Sequence, residues 1–179
     1  MERTLRITAA AIAAILSLSC TKESDKQTYA AQESRIESFV SSQTAANESV
    51  YAVNNAGSVR VVIKEGNGEE LKSDGTISFY YAGYVMSGAS LSSQNLFVTN
   101  IKELSTATGL PTDGSVLTVN LAETDLVEGL KNGLEGVKGG EECIILFSGK
   151  HGFGNRQFGT IPANSALAYH IWVESISND

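Results

Sequence analysis

The sequence predicts an α+β fold that combines a twisted antiparallel β-sheet with short helices. Large apolar or aromatic residues recur at every second position in residues 77–81 and 167–173, as in strands with one buried face. In residues 127–137 they recur at intervals of three and four, which indicates a helix with one buried face. Glycines at 149, 152, 154 and 159 indicate a tightly turning loop before the last strand.

The first part of the chain differs in composition from the rest. Two arginines precede residues 7–18, an apolar run that is short for a membrane span but typical of a signal-peptide core. Leu16-Ser17-Leu18-Ser19 leads into Cys20, and this pattern resembles a bacterial lipoprotein signal, in which the cysteine is acylated and becomes the first residue. We therefore expect residues 1–19 to be a signal peptide and Cys20 to carry the lipid.

The expected product is an outer-membrane lipoprotein of the cell envelope, attached to the membrane by the lipid alone. Lys22-Glu23-Ser24-Asp25 resembles the acidic tag of some Bacteroidetes lipoproteins sent to the cell surface, and both the periplasmic side and the surface remain open. The net charge is −7, and −8 without residues 1–19. An acidic chain without a basic patch argues against nucleic acid and against electrostatic attraction to anionic lipid.

Residues 20–47 are interpreted as a polar linker, residues 21–31, followed by a short amphipathic helix in residues 32–42. Its apolar stripe is formed by Ile36, Phe39 and Val40, at spacings of three and one. We expect this helix to pack on the sheet face opposite any pocket, against Ile144, Leu146 and Trp172. The rest, residues 48–179, has the length and the ordinary apolar content of one domain.

The elements of residues 48–121 follow from local signals. Residues 49–53 and 58–63 are predicted strands around an Asn-Asn-Ala-Gly turn, and residues 77–81 belong to the next strand. Residues 84–97 are predicted to form a hairpin. Asn100 with Glu103 makes a capping box for a helix over residues 101–108 that Gly109 ends, and residues 116–121 are again a strand.

The last third contains a helix, a strand, the glycine loop and a closing strand. Thr124 is expected to cap the helix that Gly139 and Gly140 end. From residue 141 the period changes to two, so that Cys143 faces the core with Ile145 and Phe147. With Cys20 acylated, Cys143 has no partner within the chain, and no disulfide is expected.

Six motifs in this last third follow one another at fixed spacing. They are Leu126-Val127-Glu128-Gly129-Leu130, Gly133-Leu134, residues 137–140, His151-Gly152-Phe153-Gly154, Thr160-Ile161-Pro162-Ala163-Asn164 and Leu167-Ala168-Tyr169. Their order resembles the FKBP-type peptidyl-prolyl isomerases over about fifty residues. The resemblance implies a sheet wrapped around a short helix, no cofactor and no metal, and proline-containing segments of exported proteins as partners.

The resemblance also implies which residues form an apolar pocket. Leu130 would be its floor, and its walls would be Tyr81, Phe97, Leu117, Leu126, Val127, Phe153, Ile161 and Tyr169. The N–H groups of Val127 and Ile161 would hold substrate carbonyls. Two registers compete at the position of the family's Phe-Asp pair: Phe97-Val98, which we prefer, or Leu91-Ser92.

The chain departs from the family at four pocket positions. Leu130 replaces the usual tryptophan, Phe153 a tyrosine and Tyr169 a phenylalanine, and neither register supplies the aspartate. These departures predict weak isomerase activity or none. Two hypotheses therefore remain: a lipid-anchored prolyl isomerase or folding helper, and a non-catalytic binding or chaperone module with the same fold. Neither His151 nor His170 lies at metal-ligand spacing, so no metal site is expected.

Overall fold

A seven-stranded antiparallel sheet forms the centre of the protein, with a second sheet of two strands beside it. The computed structural model describes residues 2–179, with side chains from residue 23 onward. The helices are α1 (Glu2–Ala46), α2 (Lys102–Thr108) and α3 (Glu128–Leu134). The strands are β1 (Tyr51–Asn55), β2 (Ser58–Lys64), β3 (Asn67–Glu70), β4 (Thr76–Val85), β5 (Leu96–Thr99), β6 (Leu117–Asn120), β7 (Lys138–Gly139), β8 (Glu142–Phe147) and β9 (Leu167–Ser177).

The longest strand, β9, lies at the middle of the large sheet. The order is β1-β2-β8-β9-β4-β5, and β6 pairs with the first half of β4. In the β4–β9 ladder Gly83 faces Tyr169 and Tyr81 faces Ile171, while β3 and β7 form the small sheet. The large residues that alternate in 77–81 and 167–173 therefore all face the same side of the sheet. The predicted α+β class is confirmed.

Helix α3 packs against β8 on that side, at a distance that only glycine permits. A Cβ atom on Gly129 would lie 2.2 Å from the Phe147 ring, and one on Gly133 would lie 2.2 Å from Cγ2 of Ile145. The absence of both side chains lets the helix backbone approach the sheet. Leu130 and Leu134 are then buried in the main core together with Cys143, which is a free thiol.

Helix α1 covers the opposite side of the sheet. Ile36 and Phe39 are 1% and 3% exposed, and they pack with Ile144 and Leu146 as the sequence predicts. Trp172 was expected in the same contact, and that prediction is wrong. Its ring stacks on His170 at 3.8 Å, outside the cluster, because these two residues lie further along β9.

The prediction that residues 21–31 form a linker is also wrong. Residues 23–31 continue the helix that residues 32–42 were expected to begin, and this helix runs without a break to Ala46. The composition of this segment is polar because its inward side chains hydrogen-bond to the body of the protein instead of packing against apolar groups. From Asp25 to Phe39, helix α1 is thus docked on the rest of the protein.

Two predicted helix caps are replaced by other contacts. The Asn100 side chain accepts the N–H of Tyr81 at 2.7 Å and donates to the carbonyls of Phe79 and Ser115, so it joins β4 to the chain before β6 instead of capping α2. Thr124 accepts the N–H of Leu126, and α3 begins only at Glu128. Helix α2 does end at Gly109, whose φ is +74°, as predicted.

A buried ion pair fixes the end of α3. Arg60 on β2 donates to the carbonyl of Gly133 in the last turn of α3 and to those of Glu135 and Gly136 just after the helix. Its Nε lies 3.2 Å from Oε1 of Glu141, and both side chains are nearly inaccessible. Burial raises the pKa of Glu141, and the Arg60 charge opposes that shift. The ion pair and these hydrogen bonds therefore fix the position of the end of α3 relative to the sheet.

Candidate functional site

An apolar cavity of about 400 Å³ opens between α3, the large sheet and the long loop after β8. Residues 149–164 of that loop are called the pocket loop below. The lining consists almost entirely of apolar and aromatic side chains: Phe79, Tyr81, Phe97, Val98, Leu117, Asp125, Leu126, Val127, Leu130, Phe153, Phe158, Gly159, Thr160, Ile161 and Tyr169. Its size and composition are those of a small-ligand or peptide pocket.

All nine residues that the sequence predicts for the pocket line this cavity. Tyr81 comes from β4, Phe97 from β5, Leu117 from β6 and Tyr169 from β9, while Leu126, Val127 and Leu130 come from the start of α3. Phe153 and Ile161 come from the pocket loop. Leu130, the expected floor, is 3% exposed.

Six lining residues were not predicted: Phe79, Val98, Asp125, Phe158, Gly159 and Thr160. Phe79 alternates inward with Tyr81, so the period-two pattern contains a signal for it. Phe158 is an aromatic residue in a loop otherwise rich in glycine and polar residues, which is a weaker signal. Asp125 is exposed at the rim, and nothing in the sequence distinguishes it from other surface carboxylates.

The register of the hairpin is settled in favour of Phe97. This residue lines the cavity, whereas Leu91 packs against the cluster under α1 on the other side of the sheet. Val98 pairs with Gly83 across β4 and β5 and contributes an apolar wall where the family has an aspartate. The pocket therefore has no carboxylate at that position.

Aromatic rings are packed closely around the sheet side of the cavity. Phe97 meets Tyr169 edge-on, with centroids 5.8 Å apart, and Phe147 stacks on Tyr169 from behind at 6.1 Å. A Cβ atom on Gly83 would lie 2.9 Å from the Tyr169 ring, 2.9 Å from Val98 and 3.0 Å from Phe97. A glycine at this point of β4 is what allows the wall to form.

Two tyrosines, Tyr81 and Tyr169, line the pocket together with the polar residues Asp125 and Thr160. Burial raises the pKa of Tyr169 strongly, and the neighbouring Tyr81 adds to that rise. Burial also raises the pKa of Tyr81, with a further contribution from Asp113. Both phenols are therefore neutral at physiological pH and can donate a hydrogen bond. The hydroxyl of Tyr169 is a group that a phenylalanine would lack.

The pocket loop carries an aromatic pair at the mouth. The rings of Phe153 and Phe158 stack with centroids 4.5 Å apart and planes 6° apart, and Phe158 is 60% exposed. Phe158 and Ile161 exchange two backbone hydrogen bonds, of 3.0 Å and 2.9 Å. The N–H of Ile161 is therefore occupied, and the expectation that it holds a substrate carbonyl is wrong.

The N–H of Val127 behaves differently. Val127 precedes the first residue of α3, and within the described part of the chain its N–H has no hydrogen-bond partner. Free N–H groups at a helix start are donors that a carbonyl can satisfy. Val127 itself is one of the residues that line the cavity.

Each histidine is paired with a glutamate side chain. His151 pairs with Glu128 at 3.1 Å, and His170 pairs with Glu142 at 2.8 Å on the outer side of β9. Burial lowers the pKa of His170, although Glu142 opposes this. In residues whose side chains are described, no group of three or more His, Cys, Asp or Glu residues could hold a metal ion.

Two further expectations concern the membrane. Cys20, the predicted lipidation site, lies outside the residues whose side chains are described. Within that described part, no helix combines the length and apolar character that crossing a bilayer requires.

A sheet wrapped around a short helix, with an apolar pocket between them, defines an α+β domain with a ligand-sized pocket. The family model for FKBP-type peptidyl-prolyl cis-trans isomerases matches residues 67–174, more than half of the chain. The protein belongs to the FKBP-type peptidyl-prolyl cis-trans isomerase family. No curated protein matches the sequence significantly.

Solved structures agree on the fold. The N-terminal domain of FKBP42 from Arabidopsis thaliana has 19% sequence identity and a TM-score of 0.58, covering 72% of this chain and 93% of its own. FkpA from Escherichia coli has 20% identity and a TM-score of 0.57, covering 99% of this chain and 73% of its own. A peptidyl-prolyl cis-trans isomerase from Pseudomonas syringae has 16% identity and a TM-score of 0.57, covering 84% of this chain and 96% of its own.

Proposed function

We propose that this protein is a prolyl isomerase or folding helper that acts on X-Pro bonds of exported proteins. The observation that carries the proposal is an apolar cavity of about 400 Å³ whose lining includes Val127, a residue whose N–H has no hydrogen-bond partner among the described residues. The cavity can take a proline ring, and the N–H can take a carbonyl of the same segment. No nucleophile or metal is needed for this reaction.

The chemistry is a rotation about one amide bond. The barrier is about 18–20 kcal/mol because rotation removes the resonance of the amide. The twisted amide carries less charge on its oxygen than the planar one, so an apolar site with little water binds the twisted form better and lowers the barrier. The rings of Phe97 and Tyr169 and the side chain of Leu130 supply such surroundings.

Substrate orientation depends on few polar groups. Val127 offers a backbone donor, and the neutral phenols of Tyr81 and Tyr169 offer two more. Phe153 presents a ring without a hydroxyl at the mouth, and Val98 presents no carboxylate. Weak fixation of the substrate follows from this set, so the expected activity is low.

The test is an isomerisation assay on Phe-Pro and Leu-Pro peptides, read by protease coupling or by fluorescence. The wild-type chain is expected to accelerate the reaction weakly, and the double variant Phe153→Tyr, Leu130→Trp to be faster. One added hydrogen bond of about 1 kcal/mol corresponds to roughly fivefold in kcat/KM. The matched control is Phe158→Tyr, which adds the same hydroxyl to the exposed partner of the stacked pair.

The assay separates the two hypotheses. A wild-type rate indistinguishable from buffer at micromolar protein would contradict the isomerase proposal. If the wild type is inactive yet prevents aggregation of an unfolded client, the second candidate applies: a non-catalytic binding or chaperone module. Val98 in the aspartate position and Phe153 at the mouth are the observations that favour this second candidate.

We further propose that acyl chains on Cys20 attach the protein to the outer membrane, on its periplasmic side or at the cell surface. The support is the sequence pattern around Cys20 and the acidic residues after it. Expression of the wild type and of Cys20→Ala with a radiolabelled fatty acid tests this. Label in the wild type alone supports the anchor, and equal or absent label in both contradicts it. Protease treatment of intact cells distinguishes the two sides.

A further inference from the structure

Helix α1 contacts the pocket loop through a row of polar side chains. Asp25, Tyr29 and Gln32 follow one another at intervals of four and three, so they lie on one face of the helix, in line with Ile36 and Phe39. Unlike those two, they meet the backbone and side chain of the pocket loop. We propose that Asp25, Tyr29 and Gln32 are positioning residues that hold the pocket loop closed at its base.

Gln32 joins the two ends of the loop. Its Oε1 accepts the N–H of Gly149 at 2.8 Å, and its Nε2 donates to the carbonyl of Asn164 at 2.5 Å. The side chain is 6% exposed, so both bonds are shielded from water. The two ends also touch directly, since a Cβ atom on Gly149 would lie 2.7 Å from the carbonyl carbon of Asn164.

Asn164 is held from three sides. Its Oδ1 accepts the hydroxyl of Tyr29 at 2.6 Å, its Nδ2 donates to Asp25 at 3.0 Å, and its backbone N–H donates to the carbonyl of Gly154 at 2.6 Å. Its φ is +55°, a left-handed conformation that asparagine and aspartate tolerate better than most residues. Contacts from another element therefore stabilise a backbone conformation that few residues adopt.

The held segment is the part of the pocket that comes from a loop. Phe153, Phe158 and Ile161 all lie between Gly149 and Asn164, and all three line the cavity. If the base of the loop opened, these side chains would lose their position relative to Leu130 and Tyr169 on the rigid elements. Helix α1, although it lies on the opposite side of the sheet, is therefore part of what shapes the pocket.

The inference rests on the proposed function only for its effect on catalysis, and its structural part can be tested without any activity. Arg156 is exposed within the pocket loop and provides a trypsin site. Cleavage there needs the loop to open locally, so its rate in the full chain, solubilised in detergent and followed by mass spectrometry, reports opening.

The decisive variant is Asn164→Asp. It places a carboxylate opposite Asp25, where the structure has a hydrogen bond of 3.0 Å, while keeping a residue type that tolerates the backbone conformation. Loss of this bond and repulsion between the charges are expected to speed cleavage at Arg156 by roughly tenfold. The double variant Asp25→Asn, Asn164→Asp exchanges amide and carboxylate, so the bond between residues 25 and 164 reforms with donor and acceptor reversed. The cleavage rate is then expected to return to within about twofold of the wild type.

The matched control is Arg35→Met on the same helix. Arg35 donates to the carbonyl of Met86 at 3.0 Å, just after the end of β4, and among the described side chains it has no hydrogen bond to the pocket loop. Its loss is expected to leave cleavage at Arg156 unchanged. Equal acceleration in Arg35→Met, or no rescue in the double variant, would overturn the inference, because opening would then reflect general loosening of the helix or of residue 164.

Isomerase measurements complete the test where the wild type is active. Asn164→Asp is expected to lower kcat/KM in parallel with loop opening, and the double variant to restore it. Unchanged cleavage with unchanged kcat/KM would refute the inference and leave the proposed function standing. If the wild type is inactive but the double variant restores the wild-type cleavage rate, the inference stands and the proposed function is refuted.

Discussion

The two sides of the large sheet are covered to different extents. Under α1, Ile36, Phe39, Ile144 and Leu146 are all at most 5% exposed, and the contact is closed. On the other side α3 covers only part of the sheet, and the pocket occupies the remainder. The pocket is thus an unfilled portion of the main core, walled by residues that also stabilise the domain. On this side the same residues serve binding and stability, whereas α1 on the other side acts on the pocket through its polar contacts with the pocket loop.

The strongest test of this contrast removes a ring from behind the pocket. Phe147→Ala is expected to lower the free energy of unfolding by about 3–5 kcal/mol, because Phe147 is fully buried and supports both Gly129 of α3 and Tyr169. Urea denaturation measures the loss. A loss below about 1 kcal/mol would show that the pocket wall is not continuous with the core.

Phe39→Ala makes the corresponding change under α1. Its expected cost is about 2–3 kcal/mol, at the lower end for such a deletion, because the helix can detach before the sheet unfolds. Detachment also lowers the urea m-value, since less surface is then exposed on global unfolding. A loss as large as that of Phe147→Ala, with an unchanged m-value, would contradict the idea that α1 is a separable cover.

Much of this architecture follows from the sequence, and most of the exceptions share a cause. Alternation and turn signals predict β1, β2, β4, β6, β8 and β9, spacings of three and four predict α3, and the glycines predict the pocket loop. Helix α3 nevertheless ends at Leu134, before the predicted Gly139-Gly140, and residues 138–139 form β7. Other predictions failed where polar side chains make long-range bonds. Asn100 carries a cap signal but bonds to Tyr81 on β4 instead, and Asp25, Tyr29 and Gln32 face the protein without an apolar pattern that could reveal it.

The site was predictable to the extent that it coincides with family motifs. Leu130, Phe153 and Tyr169 occupy the places that the resemblance implies. Phe158 and Asp125 lie outside those motifs, and only the folded loop and the start of α3 bring them to the cavity. That the N–H of Ile161 is paired depends on the local turn with Phe158, which the Ile-Pro dipeptide does not specify.

A third test narrows the pocket from the sheet itself. Gly83→Ala is expected to cost about 1–3 kcal/mol and to push the rings of Phe97 and Tyr169 into the cavity. Binding of a Leu-Pro peptide, measured by calorimetry, should weaken as well. Unchanged affinity would mean that the ring ends move aside, and would contradict a wall of fixed shape.

The smallest effect concerns a single oxygen. Tyr169→Phe is expected to change stability at pH 7 by less than about 1 kcal/mol. The pKa of Tyr169 is raised above its ordinary value of about 10, so the protonated form is favoured in the folded state. The contribution of this raised pKa to the free energy of unfolding is complete below about pH 10. It is lost as the pH rises further, at up to about 1.4 kcal/mol per pH unit. In thermal melts between about pH 9 and 11, the variant should lose less stability with rising pH than the wild type does. The same pH dependence in both proteins would contradict this.

The contact between α1 and the pocket loop begins at Asp25, five positions after Cys20. With acyl chains on Cys20, four residues would join the lipid to a docked part of the domain, and even fully extended they span only about 14 Å. Such a short tether would keep the pocket within a fixed distance of the bilayer surface. It would favour segments of client proteins that emerge from the membrane or lie along it over those that diffuse far from it.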